Sequence, residues 1–181
     1  VPVRRRSALL VFSLQADTLL AMNKSVVEVN VRAVLPTNAG RAVFVGNDEK
    51  VFVIYVDEGV GAAITMFMSN TPKERPLTHD LMGHLMQALG AKVDRVIIND
   101  LKTSTYFARL IISAENELQQ KKIIELDARP SDCIALATSQ KAPIYVSKEV
   151  WDEVDDMSDV LKSMSEGGLQ SEEGEQGEPE K

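Results

Sequence analysis

Residues 25–35 alternate apolar Val27, Val29, Val31 and Ala33 with polar neighbours, the two-residue period of a strand with one buried face. Runs rich in β-formers at 41–45 and 51–56 flank Gly46-Asn47-Asp48-Glu49-Lys50, which predicts a hairpin. Further strands are expected at 92–99, 105–113, 121–126 and 143–146, with a turn at Glu115-Asn116-Glu117. Helical spacing appears in four places. Val60, Ala63, Ile64 and Phe67 suit a short helix over 59–69, and Leu81, Met82, Leu85, Met86 and Leu89 form one apolar face over 78–89, closed by Gly90. A third helix spans 130–139 and a fourth 148–164, the last carrying Val150, Trp151, Val154, Met157, Val160 and Leu161. The pattern predicts an α+β domain, with a mixed or antiparallel sheet built from hairpins and about four helices.

An echo runs through it at an offset of 70 residues: Val53-Ile54 matches Ile123-Ile124, Val56-Asp57 matches Leu126-Asp127, and Ile64 matches Ile134. A hairpin precedes and a helix follows in both places, which suggests a duplicated hairpin–helix unit.

Composition frames this domain. With 181 residues, 44% of them hydrophobic, the chain suits one core plus tails, with the domain over 22–162. Residues 163–181 carry six Glu and one Lys on a sequence with almost nothing to bury, and are expected to be disordered. Residues 1–21 hold three Arg and a short interrupted apolar run, read as an extension rather than a secretion signal. Of the net charge of -7, the tail contributes -5 and the first 21 residues +2, which leaves the domain mildly acidic. A strongly basic nucleic-acid face is therefore missing at the level of net charge. One cysteine, Cys133, and no run of about 20 apolar residues point to a reducing, cytoplasmic setting without a membrane span.

Two Arg-Pro pairs hold the candidate chemistry: Arg75-Pro76-Leu77-Thr78-His79-Asp80-Leu81 and Asp127-Ala128-Arg129-Pro130-Ser131-Asp132-Cys133. Each sets a guanidinium, a hydroxyl and a carboxylate around a predicted helix N-terminus, where free backbone N–H groups favour anions. Ordinary capping accounts for Thr78 as N-cap and Asp80 in the first turn, and Ser131 or Asp132 can cap the other helix behind Pro130. Capping does not account for His79 at the helix mouth. His79 and His84 are five apart, which excludes a two-histidine metal helix. Cys133 reads as a small buried hydrophobe, and Asp100 in the polar stretch 99–105 as part of a turn or as a further carboxylate.

In order along the chain, Arg75-Pro-Leu-Thr-His-Asp-Leu81, Val96-Ile-Ile-Asn-Asp-Leu101, Tyr106-Phe-Ala108, Asp127-Ala-Arg-Pro-Ser-Asp132, Ile134-Ala-Leu-Ala137 and Pro143-Ile-Tyr-Val146 closely resemble the bifunctional nuclease (BFN) domain family. The resemblance covers about residues 24–150; Cys133 departs from the usual Ala, and Lys102-Thr103-Ser104 from the usual turn. It implies cleavage of DNA and RNA by a compact α+β domain that forms a homodimer. The site expected on these residues places Asp132, Asp80 and Asp100 around a divalent cation such as Mg²⁺. Arg129 and Arg75 would grip phosphate with Ser131 and Thr78 as added donors, and His79 would protonate the leaving oxygen. The contrasting expectation is a non-enzymatic dimeric module that binds an anionic small molecule or a protein with the same helix ends.

Overall fold

A computed structural model describes residues 26–115 and 120–171, with side chains through residue 165. The expected extension over 1–21, most of the turn at Glu115-Asn116-Glu117, and residues 172–181 lie outside the described residues.

Seven strands form one mixed sheet: β1 (Val26–Thr37), β2 (Gly40–Gly46), β3 (Val51–Val56), β4 (Ala91–Lys102), β5 (Thr105–Glu115), β6 (Lys121–Ala128) and β7 (Ile144–Ser147), in the order β3-β2-β1-β7-β4-β5-β6. Among the described residues five helices accompany it: α1 (Glu58–Met68), α2 (Thr78–Ala88), α3 (Pro130–Gln140), α4 (Lys148–Glu153) and α5 (Ser158–Ser171). The expected α+β class is what the chain adopts. All strand pairs are antiparallel except β4 with β7.

The sheet consists of two meanders, β1-β2-β3 and β4-β5-β6, joined through β7. β1 serves both halves: Val26–Val29 pairs with β7 and Asn30–Thr37 with β2, the latter pairing shifting register between Val31 and Ala33. Such an irregularity lets one strand bend from one sheet direction into the next. Each meander leads into a helix, α1 or α3, and the two helices pack on each other. The echoed residues Ile64 and Ile134 are both completely buried there. The hairpin–helix order anticipated from the 70-residue offset thus recurs in space.

The main core lies between the helices and one sheet face, with Val43, Val45, Phe52, Val96, Ile98, Ile64 and Ile134 among its members. Burying each such aliphatic side chain contributes roughly 1.5–3 kcal/mol. On the opposite face of β2 and β3, Ala42, Phe44 and Val51 form a smaller cluster with Met157 and Leu161.

One helix expectation changes. The single helix over 148–164 is interrupted: Asp156 accepts from the Val51 N–H at 3.2 Å and from the Ser158 N–H at 3.0 Å, and Met157 N donates to Val51 O at 2.6 Å. These bonds to the β3 edge outcompete helix continuation, and Asp156 starts α5 afresh. α5 then continues to Ser171, into the segment expected to be disordered. The apolar face expected on α2 turns largely to solvent. Leu81 is 63%, Leu85 60% and Leu89 72% exposed, while the buried residue of the helix is His79. α2 sits at the rim, touching α3 and β4, so its amphipathic stripe meets solvent and its polar N-terminus points inward. Gly90 ends α2 as expected, at φ +68, with its carbonyl accepting from Glu115 N at 3.0 Å.

Among the described residues, no helix is long and apolar enough to cross a membrane.

Candidate active site

β6 delivers the chain to Ala128, and the residue before a proline is held extended. Arg129 obeys this (φ -65, ψ 139) and is the N-cap of α3, with Pro130 in the first turn. The N-cap is therefore neither Ser131 nor Asp132, and no side chain caps this end. The Asp132 carboxylate is instead taken by the Arg129 guanidinium, whose Nε donates at 2.8 Å and Nη2 at 3.3 Å. Arg129 Nη1 also lies 3.8 Å from Asp57, the residue that caps α1 through Val60 N. The hydrogen bond to Asp132 and its charge, with Asp57 adding to them, push the Arg129 pKa still higher. This guanidinium is a fixed cation with two-thirds of its side chain in solvent.

At α2 the N-cap is Leu77, and Thr78, expected in that role, is the first helical residue and is exposed. Asp80 supplies the polar partner, accepting from Leu77 N at 2.8 Å and from Lys73 Nζ at 2.6 and 2.7 Å. Lys73 Nζ also stands 4.1 Å from the centre of the Phe67 ring. Burial alone pushes the Asp80 carboxyl upward, but the Lys73 and Leu77 hydrogen bonds, with the charges of Lys73 and His84, outweigh it and hold the group below its ordinary 3.8.

His79 turns inward. Its ring meets the Phe67 ring edge-to-face, with centroids 6.4 Å apart, and its Nε2 lies 3.4 Å from Asp132 Oδ1. Here the two Arg-Pro motifs converge. His79, Asp132 and Arg129 share one location where the N-termini of α2 and α3 meet, with the last turn of α1 against His79 and its cap Asp57 near Arg129.

The remaining expected site residues divide. Asp80 belongs to the neighbouring Lys73 pair. Ser131 is buried in the first turn of α3, whereas Thr78 and Arg75 are exposed. Asp100 pairs with Lys102 beside the β4–β5 turn. Among the described residues no group of three His, Cys, Asp or Glu side chains is arranged to hold a metal ion. The residues therefore do not fit the expected three-carboxylate cation site: Asp132 is held by Arg129, Asp80 by Lys73 and Asp100 by Lys102. Burial, with the nearby charges of Asp132 and Asp127, pushes the Cys133 thiol up to about 12, so it is no nucleophile at neutral pH.

Sequence reasoning missed Lys73, Asp57 and Phe67. Asp57 was visible as half of the echo with Asp127, and a capping role followed from its place before a helix. Lys73 carried no such signal, since it reaches Asp80 from a connecting segment.

Beside His79 and Asp80 opens a cleft of about 810 Å³ that follows α2 toward Gly90. Residues 43–158 match the bifunctional nuclease domain, and the chain belongs to that family. Two Mycobacterium tuberculosis proteins, uncharacterized protein MT1877 of strain CDC 1551 / Oshkosh and uncharacterized protein Rv1829 of strain ATCC 25618 / H37Rv, are each 36% identical to it over 104 residues. That match spans 58% of this chain and 58% of the length of each relative.

Proposed function

We propose that the protein is a nuclease that hydrolyses phosphodiester bonds of DNA and RNA at the His79–Asp132–Arg129 centre. The observation that carries this reading is the approach of His79 Nε2 to Asp132 at 3.4 Å beside an exposed, fixed guanidinium. Membership of the family supports it. Arg129 would hold a phosphate oxygen with donors not spent on Asp132, and Arg75 and the free N–H groups of the α2 terminus would add positive potential. Asp132 would orient the imidazole, as a carboxylate does in other acid–base pairs. The opposite ring nitrogen would then give a proton to the leaving oxygen.

A divalent cation such as Mg²⁺ remains part of the proposal to be tested. With the carboxylates already paired, it would draw most of its oxygen ligands from phosphate and water. The proposal also keeps the protein in the cytoplasm, on the strength of its lone buried cysteine. A homodimer is inferred as well, with the exposed ridge Leu81, Leu85 and Leu89 as its contact, because apolar area of this kind is seldom left to water. Leu85→Glu should dissociate it in sedimentation experiments, and an unchanged mass would move the contact elsewhere.

A second reading, an anion-binding module without catalysis, is favoured by one observation: Asp132 and Asp80 are each neutralised by an internal cation. Wild type, Arg129→Ala and Asp132→Asn, purified identically and titrated with Mg²⁺ and chelator on DNA and RNA oligonucleotides, separate the two. The nuclease reading expects cleavage to fall by on the order of a hundredfold or more in both variants. Equal activity in all three preparations would leave the binding module.

A further inference from the structure

The cleft along α2 differs in character from the centre at its mouth. His79 and Asp80 form one end, and the walls run past Gly83 and Gln87 on α2, Gln140 at the end of α3, and Ser113 on β5. Its charged lining is mixed in sign, with Asp80, Asp94 and Glu115 beside Lys92 and Lys121. Lys121 lies opposite Glu115 in the β5–β6 register, and Asp94 is paired with Arg95 at 2.5 Å. Neutral polar groups stand among these charges. Gln140 is anchored, because its Oε1 accepts from Val93 N at 3.0 Å, which leaves the amide NH₂ as a donor. That NH₂ lies close to Gly83, where a Cβ would sit 3.3 Å from Nε2. Gly83 therefore keeps the wall open at the point where the donor stands.

We propose that this cleft receives the nucleoside attached to the phosphate held at Arg129, with base and sugar recognised by neutral hydrogen bonds from Gln140, Gln87 and Ser113. The inference rests on the phosphodiesterase reading of the neighbouring centre and adds to it the part of the substrate that is read. Size and chemistry agree. About 810 Å³ lies within the range of small-molecule sites, roughly 300–1,000 Å³, in which a few placed polar groups set specificity. A phosphate track would need surplus positive charge, and this lining has no excess of Lys or Arg over Asp and Glu. The occupant is consequently a neutral, hydrogen-bonding unit, which a nucleoside is and a phosphate is not.

The test is a titration of the isotope-labelled full chain with adenosine, with uridine and with inorganic phosphate, followed by NMR. Nucleosides should shift the amides of Gly83, Gln87 and Gln140, and phosphate those around Arg129. Gly83→Leu, which fills the cleft, should weaken nucleoside binding at least tenfold, with Gly83→Ala intermediate. Gln87→Ala, at an exposed helix position, should weaken it severalfold and serves if Gly83→Leu does not fold. Nucleoside shifts elsewhere, no nucleoside binding, or binding indifferent to these variants would overturn the inference. Nucleoside binding at these residues without oligonucleotide cleavage would sustain it and remove the nuclease reading; cleavage without nucleoside binding would do the reverse.

Discussion

The two helices that begin at Arg-Pro pairs end in opposite circumstances. α3 is buried almost all round, with Cys133, Ile134, Ala135 and Ala137 fully out of solvent, whereas α2 buries His79 and turns Leu81, Leu85 and Leu89 outward. The guanidiniums part company too: Arg129 is pinned between Asp132 and Asp57, while Arg75 is exposed and Lys73 takes the carboxylate of its helix. The difference teaches that a capped, amphipathic helix announces a face that needs covering, without saying what covers it. A helix wedged against sheet and two other helices contributes stability; one at the rim is free to offer a histidine inward and a surface outward.

The contrast can be broken most forcefully at the point where the helices meet. His79→Ala should reduce nuclease activity by about 10²–10⁴-fold, the usual reach of a general acid, as read from initial rates on a labelled oligonucleotide. A loss under threefold would mean that the convergence of α2 and α3 has no catalytic part. Next in size is a stability comparison. Ile134→Ala in α3 should cost about 2–5 kcal/mol in urea unfolding, and Leu85→Ala in α2 no more than about 0.5 kcal/mol if the ridge has no partner. Similar losses at low protein concentration would contradict the exposed placement of α2.

The Asp80 pair sharpens the comparison through pH. Its folded pKa lies below the ordinary 3.8, so its contribution is present above that value and is lost as pH falls through the folded pKa. Asp80→Asn should destabilise by on the order of 1–3 kcal/mol at neutral pH, the penalty for leaving polar partners unmatched. The gap to wild type should narrow as pH drops below 3.8, and a gap that stayed constant would show that the charge is irrelevant. The smallest effect belongs to Arg75→Ala. Its stability should shift by about 0.5 kcal/mol or less, and the salt dependence of nucleic-acid binding should lose roughly one phosphate contact from its slope. An unchanged slope would exclude Arg75 from the substrate path.

Strands were legible because a two-residue period with turn chemistry at its ends depends on near neighbours. The hairpin around Asn47, the stop at Gly90 and the helix after Asp57 all follow from local rules. The apolar face of α2 was legible, but periodicity cannot tell the rim from the centre of a layer, so its exposure was not. The interruption at Asp156 was hidden because the competing partner, the Val51 backbone, is far away in sequence. The same holds at the site. Its residue types were readable from two helix starts, whereas the pairing of His79 with Asp132 and of Lys73 with Asp80 depends on how α2 is seated.

β7 spans only Ile144–Ser147, yet it bonds to Val26–Val29 of β1 on one side and to Val96–Ile98 of β4 on the other. During synthesis this strand leaves the ribosome after both meanders are complete. Until then the β4-β5-β6 half has no strand partner in the first half, and contacts between residues more than a hundred positions apart must wait. High contact order of this kind slows folding and prolongs the exposure of strand edges. Four residues in the middle of the sheet therefore complete the sheet last, and a chain released before residue 147 would leave the ribosome with its two meanders joined through α1 and α3 but not through a strand.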